Sequence, residues 1–200
     1  AAAAATAAAA ITVGDPTSDG VVMGPVVSEA QWNKVQGLIQ TGIDEGATLA
    51  AGGTGRPDGL DEGYFVKPTV FADVTNDMTI AQEEIFGPVA SVMPFDGFDH
   101  AIQLANDTVY GLAGAIWTTD VTTAFRAARA LRAGQLWIND TQAAPLGYPA
   151  GGYKQSGIGR EFGEEGMNEY TEVKALHVDD AKTRENKPWY DMLVPQDAAE

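Results

Sequence analysis

The 200-residue chain contains no cysteine. Disulfides and thiolate metal sites are therefore excluded, and so is any thiol nucleophile supplied by this chain itself. Histidine is almost as scarce. His100 and His177 lie too far apart in sequence to suggest a local metal motif, so no metal site is expected. Basic residues are also few, 12 against 28 acidic, for a formal charge of -16. That balance repels phosphate backbones and anionic lipid surfaces, so neither nucleic acid nor membrane is an expected partner. A solvated acidic surface accounts for the charge equally well. The first basic residue is Lys34, which leaves the N-terminal segment without the basic region that opens a secretory signal. A cysteine-free chain fits the cytoplasm, the expected location.

What is present is the composition of a globular protein: 44% hydrophobic and 20% charged residues, enough to bury a core in one or two small domains. Residues 1 to 10 are alanine except Thr6. Alanine is the best helix former, which predicts one helix there. A second reading, that these alanines stand for unassigned side chains at a truncated end, is left open.

Ser28-Glu29-Ala30-Gln31 is a capping-box start, with Trp32, Val35, Ile39 and Ile43 at helical spacing and Gly46 as the stop; a helix is predicted over 29–45. A short strand over 48–51 precedes a Gly, Pro and Asp-rich loop over 52–63. A buried strand over 89–95 is followed by a helix over 99–106 that turns Ile102 and Ala105 inward. Another strand over 112–117 leads to a helix capped by Asp120 that carries Ala124, Phe125, Ala128 and Leu131, with Gly134 ending it before a strand over 135–138. Strand and helix alternate. This order predicts an α/β fold, a mainly parallel open sheet with helices on both faces, whose function gathers in loops beyond the strand C-terminal ends. The loop over 139–157 is of that kind. Residues 170–178 alternate apolar and polar and read as a separate strand in need of a partner. The tail beyond it is charged as far as Pro188-Trp189-Tyr190, whose aromatics either anchor it to a neighbouring surface or belong to a frayed terminus.

The stretch Glu83-Glu84-Ile85-Phe86-Gly87-Pro88-Val89-Ala90-Ser91-Val92-Met93 sets two carboxylates and an aromatic against a Gly-Pro break that opens an apolar run. A carboxylate there can accept hydrogen bonds from a sugar diol, and a neighbouring Phe offers a flat apolar face to a planar ring. The bland alternative is a solvated helix end with Phe86 in the core.

Taken with Pro68-Thr69-Val70-Phe71 and Gly151-Gly152-Tyr153-Lys154-Gln155-Ser156-Gly157-Ile158-Gly159-Arg160-Glu161, this stretch resembles the C-terminal half of the NAD(P)-dependent aldehyde dehydrogenases. Val13-Gly14-Asp15-Pro16, Gly24-Pro25, Tyr110-Gly111-Leu112, Trp137-Ile138-Asn139 and Tyr170-Thr171-Glu172-Val173-Lys174 fit the family in order, and the resemblance runs over residues 11–178. It implies a lead-in over 1–27, a catalytic-domain portion over 28–168, an oligomerisation strand over 169–178 that makes a homo-oligomer, and a tail over 179–200. The implied activity is oxidation of an aldehyde to a carboxylic acid with NAD or NADP. In the family this passes through a thiohemiacetal and thioester on a Cys that this chain does not contain, so no catalytic residue is assigned and the isolated chain is expected to be inactive. A non-catalytic assembly or binding module that keeps the fold is the alternative.

The resemblance implies that Glu84 hydrogen-bonds the nicotinamide ribose hydroxyls and that Phe86 flanks the nicotinamide. Glu83 and Lys154 are assigned to local hydrogen bonds and ion pairs. Between Asn139 and Gly151 the family lines its aldehyde tunnel, and Gln142, Ala144 and Ala150 are the expected lining residues. The family's usual Pro-Phe-Gly-Gly ending is Pro149-Ala150-Gly151-Gly152 here, which widens the tunnel unless Tyr148, Leu146 or a backbone shift fills the gap. The run from Gly157 to Gly163 is no dinucleotide fingerprint: its third glycine comes one residue late and it follows a loop. Its glycines are expected to permit tight turns.

Overall fold

The computed structural model describes residues 1–143, 146–178 and 192–193. Ala144 and the Pro188-Trp189-Tyr190 aromatics lie outside the described residues.

Helix α1 is Ala2–Ala9, in keeping with its alanine content. Helix α2, Glu29–Asp44, begins where expected: the Ser28 hydroxyl accepts from the Gln31 N–H at 3.2 Å. Its end is a Schellman arrangement. Gly46 takes a φ of +91°, its N–H reaches the Ile43 carbonyl at 3.1 Å, and the Ala47 N–H reaches the Gly42 carbonyl at 3.0 Å. The buried stripe of α2 is Val35, Ile39 and Gly42.

Strand β1, Thr48–Ala51, pairs antiparallel with β2, Thr69–Ala72, which pairs parallel with β3, Val89–Ser91. Every residue of β2 is buried, so both of its faces are covered. Phe71 packs with Val35 and Ile39 of α2, and with Val66, Val74, Ile80 and Ile85, to make the core. Gly42 permits the contact, since a Cβ there would crowd Ile80 and Phe71. Helix α3, Thr79–Gln82, follows β2. Helix α4, Gly97–Asn106, leads to β4, Ala113–Ile116; helix α5, Val121–Ala130, leads to β5, Gln135–Ile138, parallel to β4 in a second, two-stranded sheet. A 3-10 turn, Lys154–Ser156, and helix α6, Gly163–Asn168, complete the regular elements among the described residues. The architecture is α/β with mainly parallel pairing; β1 is the antiparallel exception.

Asp120 caps α5 by accepting from the N–H groups of Thr122 at 3.0 Å and Thr123 at 3.2 Å. The Thr123 hydroxyl and then the Thr122 N–H hold its carboxyl below the usual carboxylate range. Threonine partners do the same for Asp15 (Thr17) and Asp77 (Thr75).

Several expectations are corrected. The strand expected over 89–95 stops at Ser91 and is half-buried, because Pro94 cannot extend the ladder. In α4, Ile102 is half-buried and Ala105 exposed. Ala124 of α5 is buried as expected, but Ala127 is its buried partner, while Phe125 is 54% exposed. The stop for α5 is Leu131 turning extended and not Gly134, which lies further on. Residues 171–178 are in no strand within the single chain, where Tyr170, Val173, Leu176 and Val178 are exposed; the expected pairing is with another subunit. An isolated edge segment has no ladder to join within one chain.

Candidate functional site

Residues 79–87 run along α2 in the opposite direction and are fastened to it at both ends. Beyond the C-terminal end of α2, the Glu45 carboxylate accepts from the Thr79 N–H at 2.7 Å and hydroxyl at 2.6 Å, capping α3. Near the N-terminal end, Lys34 Nζ donates to the main-chain carbonyl of Glu84 at 2.7 Å. Gln31 Nε2 donates to the carbonyls of Ile85 at 3.2 Å and Phe86 at 3.0 Å. Gly87 then closes on Val35, whose methyls would collide with any Cβ at that position. Positions 31, 34 and 35 share one helix face, so a single face of α2 supplies all three contacts.

This seating holds Phe86 at φ +57° with its side chain 73% exposed. A left-handed non-glycine residue costs about 1 to 3 kcal/mol and persists where the surroundings dictate it, often at a functional position. The core placement of Phe86 considered from sequence is overturned; Ile85 is buried instead. The Glu84 carboxylate is exposed and makes no hydrogen bond or ion pair among the described residues. It lines a cleft of about 340 Å3 together with Gln82, Glu83, Thr108, Tyr110 and Ser156. Glu83 likewise has no side-chain partner among the described residues, against expectation. No group of three metal-ligating side chains occurs among the described residues.

The far wall of the cleft is built by the Gly151 to Gly157 segment. Lys154 Nζ donates to the carbonyls of Asn106 at 3.0 Å and Thr108 at 2.8 Å, and forms no ion pair among the described residues. The Ser156 hydroxyl accepts from the Gly111 N–H at 2.9 Å, and the Tyr153 N–H donates to the Gly111 carbonyl at 2.8 Å. Lys154 thus acts as a hydrogen-bonding clip. Gly157, Gly159 and Gly163 take φ values of +121°, +84° and +64°, the turns expected of them.

Beyond β5, Asn139 sits at φ +55° and binds Thr118 twice: its Oδ1 accepts from the Thr118 N–H at 2.9 Å and its Nδ2 donates to the Thr118 carbonyl at 2.8 Å. That clamp fixes where the following loop leaves the sheet. Ala150 is half-buried, pairs with Glu161 through two main-chain hydrogen bonds of 2.7 and 2.8 Å, and lines a hollow of about 430 Å3 with Leu112 and Gln135. Tyr148 lines a different hollow of about 420 Å3 with Trp137 and Phe162. Gln142 is exposed at φ +58° and lines neither hollow.

The aldehyde dehydrogenase family model matches residues 1–176. The chain belongs to the aldehyde dehydrogenase family. A Mycobacterium tuberculosis aldehyde dehydrogenase complexed with NAD+ is 50% identical, with a TM-score of 0.83 over 88% of this chain and 36% of that one. The NAD+ complex of a Bacillus cereus aldehyde dehydrogenase is 48% identical, with a TM-score of 0.84 over 88% of this chain and 35% of that one. A Staphylococcus haemolyticus relative, also described as an aldehyde dehydrogenase, is 52% identical over 83% of this chain and 35% of its own length. The chain therefore spans about a third of the relatives it matches.

In this member of the aldehyde dehydrogenase family, local sequence points to Glu84 and Phe86 and not to the residues beneath them. By sequence, Gln31 is part of a capping box and Lys34 is the first basic residue. The one available signal was their position beside Val35 on the helix face that turns inward. No helix on its own reveals that carbonyls some 50 residues later will settle on that face. Among the described residues, no helix is long and apolar enough to cross a membrane.

Proposed function

We propose that this chain is the C-terminal catalytic and oligomerisation portion of an aldehyde dehydrogenase that oxidises an aldehyde to a carboxylic acid with NAD+. The cofactor accepts the electrons of that oxidation. Glu84 accepts hydrogen bonds from its nicotinamide ribose hydroxyls, and Phe86 lays its ring beside the nicotinamide. One observation carries the reading: the Glu84 carboxylate, without a protein partner among the described residues, lines a cleft two residues from an aromatic held exposed in a left-handed conformation. The donor set fits a ribose, since an ionised carboxylate offers only acceptors to a diol that offers donors. The two similar structures are NAD+ complexes, which supports NAD+ as a cofactor.

The nucleophile and the general base come from outside this chain, which has no cysteine. Assembly through residues 170–178, a tunnel bordered by Gln142, Ala144 and Ala150, and a cytoplasmic location belong to the same reading. The test is equilibrium binding of NAD+ to the complete enzyme carrying Glu84→Gln. Loss of the charged acceptor weakens binding by about 1 to 2 kcal/mol. Dehydrogenase turnover falls with it, whereas turnover of an activated ester, which uses no cofactor, is retained. Equal loss of both activities makes Glu84 a structural residue.

A further inference from the structure

We propose that the outward face of α5 is the docking seat for residues 185–193 of this chain, with Trp189 as the anchor. Helix α5 buries Ala124 and Ala127 on its inner side, while Val121, Phe125 and Arg129 follow one another a turn apart on the side turned away. Val121 and Phe125 are 68% and 54% exposed. With Thr122, Arg126 and Arg129 they line a hollow of about 420 Å3. Two arginines thus rim an apolar hollow in a chain that has 12 basic residues against 28 acidic. Arg126 is engaged: its guanidinium lies 3.9 Å from the centre of the Phe98 ring and pairs with Asp99 at 2.9 Å. Arg129 makes no ion pair among the described residues. The complement of this face is an apolar ring with a carboxylate beside it.

Residues 179–200 carry that combination, and they lie beyond residues 1–176, the stretch that matches the family. Pro188-Trp189-Tyr190, outside the described residues, sets two aromatics side by side, with Asp191 next in sequence and Glu185 shortly before. Met192 and Leu193 are 85% and 73% exposed, so apolar side chains of this segment are uncovered, as the α5 face is. Trp189 is eleven residues beyond Val178, a reach of up to roughly 36 Å in extended chain, comparable to the width of a 200-residue fold. An indole seated in the hollow removes apolar surface from water on both partners. The Arg129 guanidinium then attracts both the ring face and the Asp191 carboxylate.

Hydroxyl-radical footprinting of the complete enzyme reads the cover on Phe125 directly. Deleting residues 179–200 is expected to raise the oxidation of Phe125 severalfold, and adding a peptide of residues 183–196 to return it toward the full-length rate. The peptide binds the deleted enzyme with a Kd that Trp189→Ala in the peptide, or Phe125→Ser in the enzyme, raises by about tenfold, the loss typical of a buried aromatic anchor. Arg129→Glu in the enzyme raises it too, more at low salt than at high salt. Equal oxidation of Phe125 with and without residues 179–200 overturns the inference: a low rate in both means that the rest of the complete chain or a second copy covers α5, and a high rate in both means that nothing does. A peptide Kd left unchanged by Trp189→Ala, or by either change in the enzyme, overturns it as well.

Discussion

The carbonyl oxygen of Gly151 occupies the space that a side chain on Gly134 would need. The two glycines come from distant parts of the chain, one just before β5 and one in the segment that closes the cleft, and their contact lets the main chains meet. The neighbouring Gly111 is equally confined, with its N–H and carbonyl both taken up by residues of that segment. The Gly-Gly sequence is thus a packing device that seats one wall of the Glu84 cleft on the β4 and β5 sheet.

Gly134→Ala should therefore cost about 3 kcal/mol or more, because an overlap with backbone has no rotamer to relieve it. Gly37 is the opposite case. It lies inside α2 with open space where its Cβ would point, so Gly37→Ala should stabilise by about 0.5 to 1 kcal/mol. Urea denaturation of the two variants of the complete protein checks both signs.

The Asp120 cap predicts an acid-sensitive helix. Its carboxyl is held below the usual range by Thr123 and Thr122 in the folded protein, against about 3.9 in the unfolded chain. A lowered folded-state pKa contributes stability that is complete above the unfolded value and disappears as pH falls through the folded one. The Tm advantage of wild type over Asp120→Asn should hold from pH 7 to about 5 and shrink as pH falls below the unfolded value of about 3.9. Because Asp15 and Asp77 share the direction of shift, the comparison uses the difference between wild type and variant and not the wild-type curve alone.

Ala150 predicts substrate preference. Tyr148 lines a separate hollow, and the side chain at 150 is only a methyl group in the hollow it shares with Leu112 and Gln135. The complete enzyme should favour bulky or aromatic aldehydes over acetaldehyde, and Ala150→Phe should move kcat/KM toward small ones by about 1 to 3 kcal/mol, the range in which an apolar pocket discriminates. Relative kcat/KM values that stay constant across chain length and ring size would dismiss the idea.

The 200-residue chain alone should reduce no NAD+ with any aldehyde, for want of a thiol nucleophile. It should also self-associate. Trp117, Phe125, Ile158, Tyr170, Val173 and Leu176 are all at least half exposed, more apolar surface than a monomer usually leaves in water. Light scattering of the purified chain measures the second expectation, and a monodisperse monomer would contradict it.

Much of the architecture was legible beforehand. Helix α2 was placed within one residue because Ser28 and Gly46 are local signals, as is Asp120 at the start of α5. Strand β2, the most buried of all, is not legible as a strand: four consecutive buried residues show no alternation, and periodicity cannot tell such a run from a buried helix. Phe125 and Ala105 were turned inward by spacing alone, and no spacing states whether a neighbouring element exists to cover them.

The site divides in the same way. Sequence by itself determined the family, the α/β order and the absence of a thiol, and it raised the expectation that Glu84 and Phe86 serve a site, since these depend on residue type and local order. Only the tertiary structure decided that Phe86 faces outward, that Lys34 binds a carbonyl and leaves the Glu84 carboxylate without a partner among the described residues, and that Lys154 is a clip on Asn106 and Thr108. The reason is physical: hydrogen bonds between residues some 50 positions apart depend on how α2 and the 79–87 segment pack, and that packing is a property of the whole core around Phe71 and not of either segment's own sequence.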